Sequence, residues 1–127
     1  MTRAVLDASA VLALLHDEPG ASGVAPWIAE GVMSAVNLAE VVGKLLEAGM
    51  PEQPAIRAIE GLALDVAAFD AAMAIRAGAL RPSTRSLGLS LADRICLATA
   101  HELELPVITA DRARREFDVG IPIHLVR

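Results

Sequence analysis

Residues 90–111 read SLADRICLATAHELELPVITAD, and the reading of that stretch decides the fold. From Ser90 to Leu103 apolar residues fall on most sides of a helix, which places it at the centre of a structure. Pro106 then introduces a short β-branched strand, Val107 to Thr109, and Asp111 follows its end. Outward from there the same alternation repeats. Towards the N-terminus it predicts a strand over Arg3 to Leu6, helices over Ser9 to Leu15 and Gly20 to Glu30, and a strand over Val32 to Ser34. A helix over Asn37 to Ala48 is closed by Gly49 before Pro51, and a further helix runs from Glu52 to Gly61. Leu64 to Val66 is a third strand and Phe69 to Leu80 another helix. The segment Arg81 to Gly88, with its proline, serines and glycine, reads as a loop. A last helix over Asp111 to Phe117 and a terminal strand over Ile121 to Val126 complete the pattern. Strands joined by helices pair in parallel with right-handed crossovers, and sites in such sheets lie at the edge where the strands end.

Composition narrows what such an α/β chain does. Its 127 residues are 54% apolar, enough for a single core, and no linker or repeat divides them, so one domain over 1–127 is expected. Mean hydropathy is +0.49, yet charges interrupt every apolar run before it reaches membrane-spanning length. The run Ala4 to Leu15 is broken by Asp7 and followed by Asp17 and Glu18, where a cleaved leader needs small residues. These features predict a cytoplasmic protein with no membrane association. One cysteine, Cys96, excludes an internal disulfide framework and a cysteine-based zinc cluster. His16, His101 and His124 are too scattered for a histidine-based metal motif. A net charge of −5 gives no general attraction to nucleic acid. With no tyrosine, one tryptophan and two phenylalanines, little is available to stack bases, which disfavours a passive single-strand binder.

The chemistry rests on four acids. Each has an ordinary explanation: Asp7 and Asp111 end strands and could cap the helices that follow. Asn37-Leu38-Ala39-Glu40 and Ser90-Leu91-Ala92-Asp93 both have the form of capping boxes. Capping does not, however, require all four to fall just after a strand or early in a helix, and so to face one sheet edge. Glu40 and Asp93 also lie in apolar surroundings, where an unpaired charge is expensive. Four close carboxylates need a neutralising cation, and an all-oxygen set suits Mg²⁺ or Mn²⁺. Such an ion supports phosphodiester hydrolysis by an activated water, with no side-chain base required.

Four blocks carry a family resemblance. Val5-Leu6-Asp7-Ala8-Ser9-Ala10, Asn37-Leu38-Ala39-Glu40-Val41, residues 89–100 and Ile108-Thr109-Ala110-Asp111-Arg112 stand in the order of the four blocks of a PIN domain. Among PIN proteins the chain is most similar to the toxin subunits of VapBC toxin–antitoxin pairs. The resemblance implies a PIN-like, Rossmann-like three-layer α/β domain with a central, mainly parallel sheet, and a ribonuclease using Mg²⁺ or Mn²⁺. It makes Asp7, Glu40, Asp93 and Asp111 the acidic quartet. Ser9 and Thr109 match hydroxyl positions that in such proteins bond the acids or metal waters; as turn and cap residues they have an equal explanation. It further implies an RNA substrate, a homodimer and a cognate antitoxin whose tail covers the site. Many relatives carry a further acid soon after the fourth, whereas here Arg112 to Arg115 precede Glu116 and Asp118.

Arg112, Arg114 and Arg115 directly follow the last acid, and Arg81, Arg85 and Arg94 flank the third. They are either an electropositive rim that grips RNA phosphates or solvated helix faces. Lys44, the only lysine, lies on an otherwise apolar helix, where snorkelling explains it better than catalysis. Surplus apolar residues at 21–28 and 67–79 favour an interface. Two other readings compete. A Mg²⁺-dependent phosphotransfer domain would need an acid two residues after Asp7, where Ser9 stands, or a late-strand lysine. A catalytically silent PIN-like interaction module would be marked by loss of a quartet acid, and all four are present.

Overall fold

Every residue of Ala4–Leu6 is buried, and this three-residue strand lies at the centre of the sheet. The structure, a computed structural model, describes residues 3–112 and 120–126. In chain order the elements are β1 (Ala4–Leu6), α1 (Ala8–Leu15), α2 (Ala21–Val24), β2 (Gly31–Ser34), α3 (Ala35–Glu47) and α4 (Glu52–Glu60). They continue with β3 (Asp65–Ala67), α5 (Ala71–Ala79), α6 (Arg81–Thr84), α7 (Leu91–Leu103), β4 (Val107–Thr109) and β5 (Ile123–Leu125). The five strands form one sheet in the order β3-β2-β1-β4-β5, and every neighbouring pair is parallel. The expected mainly parallel sheet is therefore wholly parallel among the described strands.

Strand alternation divides the core into two layers. Ala4, Leu6, Met33 and Ile108 face one side and pack with Val11, Val24, Val41 and Leu45 from α1, α2 and α3. Val5, Val32 and Val107 face the other and pack with Cys96, Leu97 and Ala100 of α7. Six consecutive residues of α7, Ile95 to Ala100, are buried. They meet the sheet on one side and α5 on the other, through Ala77 and Met73. A helix covered on two sides has no polar stripe, which is why its sequence is apolar nearly all round. Gly31 enters β2 where a Cβ would come within 2.5 Å of Leu6 Cδ1 and 3.0 Å of the Trp27 carbonyl oxygen. Only glycine fits so close an approach.

Several expectations change in the tertiary structure. The helix expected over Gly20 to Glu30 is a single turn, α2, followed by a 3₁₀ turn at Ala25–Trp27. Pro26 lacks the N–H that would continue the ladder. The segment read as a loop from Arg81 to Gly88 is instead α6 followed by a 3₁₀ turn at Arg85–Leu87. Pro82 sits in the first turn of α6, where its missing N–H costs nothing, and the Thr84 hydroxyl donates to the Leu80 carbonyl at 2.7 Å. Gly88, at φ 69°, closes the segment. Gly49, at φ 100°, ends α3 as expected: its N–H donates to Leu46 and that of Met50 to Leu45. Most of the helix expected over Asp111 to Phe117 lies outside the described residues. Among those residues no helix is long and apolar enough to cross a membrane.

Candidate carboxylate site

Asp7 follows β1, and its backbone N–H completes the ladder to Ile108 of β4 at 3.1 Å. Its carboxylate, 3% exposed, caps α1: Oδ1 accepts from the Ala10 N–H at 2.9 Å and from the Ser9 hydroxyl at 2.7 Å. Ser9 thus spends its one proton on Asp7. At 3.2 Å from Ser9, the Thr109 hydroxyl is then the donor between them, and Ser9 also accepts from the Ala110 N–H at 3.0 Å. Thr109 in turn accepts from the Asp111 N–H at 3.0 Å. An ordered chain of bonds therefore runs from the backbone of Asp111 through two hydroxyls to Asp7. The sequence left Ser9 and Thr109 between turn residues and supports of the acids; the geometry gives them both roles at once.

The other two acids enter from helices. At α7 the capping box is present in full. Ser90 Oγ accepts from the Asp93 N–H at 3.1 Å and the Asp93 carboxylate from the Ser90 N–H at 3.0 Å. At α3 the expected box is absent. The cap is Ser34, which accepts from the Val36 N–H at 3.2 Å, so the helix starts at Ala35, two residues before Asn37. Glu40 therefore lies in the second turn, outside capping range, and the capping explanation for it falls. Asn37 is instead 2% exposed and donates from Nδ2 to the Ala92 carbonyl of α7 at 3.2 Å. Glu40 is 3.9 Å from the Lys44 ammonium, one turn on.

Asp7 and Asp111 follow the ends of the neighbouring strands β1 and β4, Asp93 lies in the first turn of α7 and Glu40 in the second turn of α3. As the side chains stand, no group of three or more Asp, Glu, His or Cys residues among the described residues is close enough to hold a metal ion. Asp7 and Asp93 bond their own helix starts, and Glu40 leans towards Lys44. The donor set still fits a hard divalent cation in kind, since it consists of carboxylate oxygens with a buried Asp7 at its base. Ligation would require Asp93 and Glu40 to turn from these contacts.

A cleft of ≈ 270 Å³ opens beside the hydroxyl chain, lined by Ser9, Leu12, Ala13, Glu18, Lys44, Ala110 and Asp111. Sequence reasoning missed Glu18 and gave Lys44 a snorkelling role, because nothing local shows that α3 carries it to the end of β4. Of the arginines expected to meet RNA, Arg85 and Arg112 are exposed, and Arg94 is half-buried with its Nε lacking a partner among the described residues. Arg115 lies outside the described residues.

Comparison with known proteins gives the family and the fold. The model of the PIN domain family matches residues 4–119, and the chain belongs to that family. Its fold is shared with chains from solved VapBC and other toxin–antitoxin structures. A chain of a toxin–antitoxin complex from Klebsiella pneumoniae is 24% identical, with 98% of each chain covered and a TM-score of 0.76. A chain of DNA-bound VapBC from Salmonella typhimurium is 20% identical over 100% of each chain, also at 0.76. One from VapBC-1 of nontypeable Haemophilus influenzae is 19% identical over 98% of each, at 0.74. No curated protein sequence matches significantly.

Proposed function

We propose that the chain is a divalent-metal-dependent endoribonuclease, the toxin half of a cytoplasmic toxin–antitoxin pair. The observation that carries this reading is the buried Asp7 carboxylate, tied by Ser9 and Thr109 to the backbone of Asp111 at the edge where the strands end. Membership of the PIN family supports it, as do structural neighbours solved as toxin–antitoxin complexes. Asp7, Glu40, Asp93 and Asp111 would hold Mg²⁺ or Mn²⁺. Such an ion supplies positive charge that offsets the carboxylates and polarises a phosphodiester.

The chain's own residues do the rest. Ser9 and Thr109 orient Asp7 by fixing which of its oxygens is occupied. Lys44 places a cation in the cleft beside Asp111, where a phosphate of the RNA would lie. Arg85, Arg94, Arg112 and Arg115 are the remaining candidate phosphate contacts.

For partners, the reading names a cognate antitoxin and a second copy of the chain. Ile75 is 74% exposed on α5, and Phe69, Val66 and Leu103 are exposed as well. Exposed apolar side chains of this size, three of them on α5, β3 and α7, support a homodimer.

The test is cleavage of a fluorogenic RNA by the purified protein. Cleavage is expected with Mg²⁺ or Mn²⁺, none in EDTA, and none from Asp111→Asn. Cleavage that persists in EDTA would remove the metal from the mechanism; a wild type that binds Mn²⁺ but cuts no RNA would favour a silent interaction module.

A further inference from the structure

The joint between α3 and α7 contains a polar residue that neither packing nor capping explains. Asn37 is 2% exposed, and its Nδ2 donates across the joint to the Ala92 carbonyl, one residue before Asp93. Its Oδ1 is buried without a partner among the described residues, and so is Nε of Arg94, the residue after Asp93. A leucine has the same branching and heavy-atom count and would remove both the donor and the stranded acceptor, so hydrogen bonding within this joint does not by itself favour an amide here. What the amide does provide is a directional link between two helices that otherwise meet through apolar contacts. Glu40 follows Asn37 by three residues and so projects from the same side of α3.

We propose that Asn37 is a positioning residue: its bond to Ala92 holds the first turn of α7 against α3 and thereby fixes Glu40 relative to Asp93. The inference rests on the reading of these two carboxylates as parts of one site. They come from different helices, and one bond between the helix starts restricts sliding and rotation at the place where the acids emerge. Residues that orient ligands from behind typically change metal affinity about 10–100-fold when removed.

The experiment compares wild type with Asn37→Leu, which keeps the branched shape and removes the amide. Asn37→Ser, smaller and still polar, replaces it if the leucine variant does not fold. In metal-free protein, hydrogen exchange of the Arg94 and Ile95 amides, more than fifty residues away in sequence, should accelerate in the variant. Unchanged exchange there overturns the clamp, whatever the ion does. Mn²⁺ affinity, followed by the loss of the free-ion paramagnetic signal, should weaken at least about tenfold. The same substitution on a Glu40→Gln background should have little further effect, because the carboxylate it positions is gone. An equal loss on both backgrounds would indicate general loosening and overturn the positioning role. A wild type that binds no Mn²⁺ would refute the metal-dependent reading instead, and the exchange data would still decide the clamp.

Discussion

Asp7 has two separable duties, and a pair of substitutions distinguishes them. Its Oδ1 caps α1 and accepts the Ser9 proton, while the charge of the carboxylate is what a metal would require. Asparagine preserves an oxygen at Oδ1 and removes the charge; alanine removes both. In EDTA, Asp7→Ala loses an N-cap, about 1–2 kcal/mol, and strands two donors, the Ala10 N–H and the Ser9 hydroxyl, in a buried setting. A total near 2 kcal/mol corresponds to a fall in Tm of about 6–10 °C at this chain length. Asp7→Asn should stay within about 0.5 kcal/mol of wild type, because its amide oxygen accepts the same two bonds. Adding Mg²⁺ at tenfold its dissociation constant stabilises wild type by RT ln(1 + [L]/Kd), about 1.4 kcal/mol, or roughly 4–7 °C. Neither variant should show that rise. Differential scanning fluorimetry in EDTA and in Mg²⁺ reads all of these values. If Asp7→Asn melts as low as Asp7→Ala in EDTA, the cap does not hold α1 as the geometry implies. If Asp7→Asn keeps the Mg²⁺ rise, Asp7 is not a ligand.

The capping box on α7 allows the same separation. Ser90→Ala should cost about 1 kcal/mol in urea unfolding and leave the Mg²⁺ response intact, whereas Asp93→Asn should cost less and abolish the response. An unchanged response in Asp93→Asn would leave that carboxylate a cap and nothing more. On α5, Ile75→Glu should convert the proposed dimer to a monomer in light scattering while far-UV circular dichroism at about 25 °C stays that of the folded chain, since the side chain is exposed in the monomer. A dimer that survives the substitution would move the interface elsewhere.

Legibility in the sequence followed the range of the forces involved. Periodicity and breakers are local, so β1, α1, α4, α7, β4 and the glycine end of α3 stand close to where the residue pattern puts them. The positions of Asp7, Asp93 and Asp111 were legible because each lies next to a strand end or helix start that is itself local. The start of α3 was not. Asn37 and Ser34 are both good caps, and Ser34 wins because β2 and β1 pair in a register that brings the chain to the sheet edge three residues before Asn37. The segment 81–88 was misread for a similar reason. Proline and serine are as compatible with a helix's first turn as with a loop, and its contact with the end of α5 is what tips the balance.

By itself, then, the sequence determined the α/β alternation, the central position of α7 and the placing of Asp7 and Asp111 just after strands and of Asp93 in a first helical turn. Only the tertiary structure decided which hydroxyl donates to Asp7, that Asn37 spans two helices instead of capping one, and that Lys44 reaches the cleft beside Asp111. Ser9 donates to its near neighbour Asp7 while Thr109 and Ala110, 100 and 101 positions away, surround it, the Asn37 bond spans 55 positions, and Lys44 approaches a distant strand end. A residue's own neighbours fix its backbone preference, but they carry no information about which distant donor or acceptor the sheet register will bring within 3 Å of it.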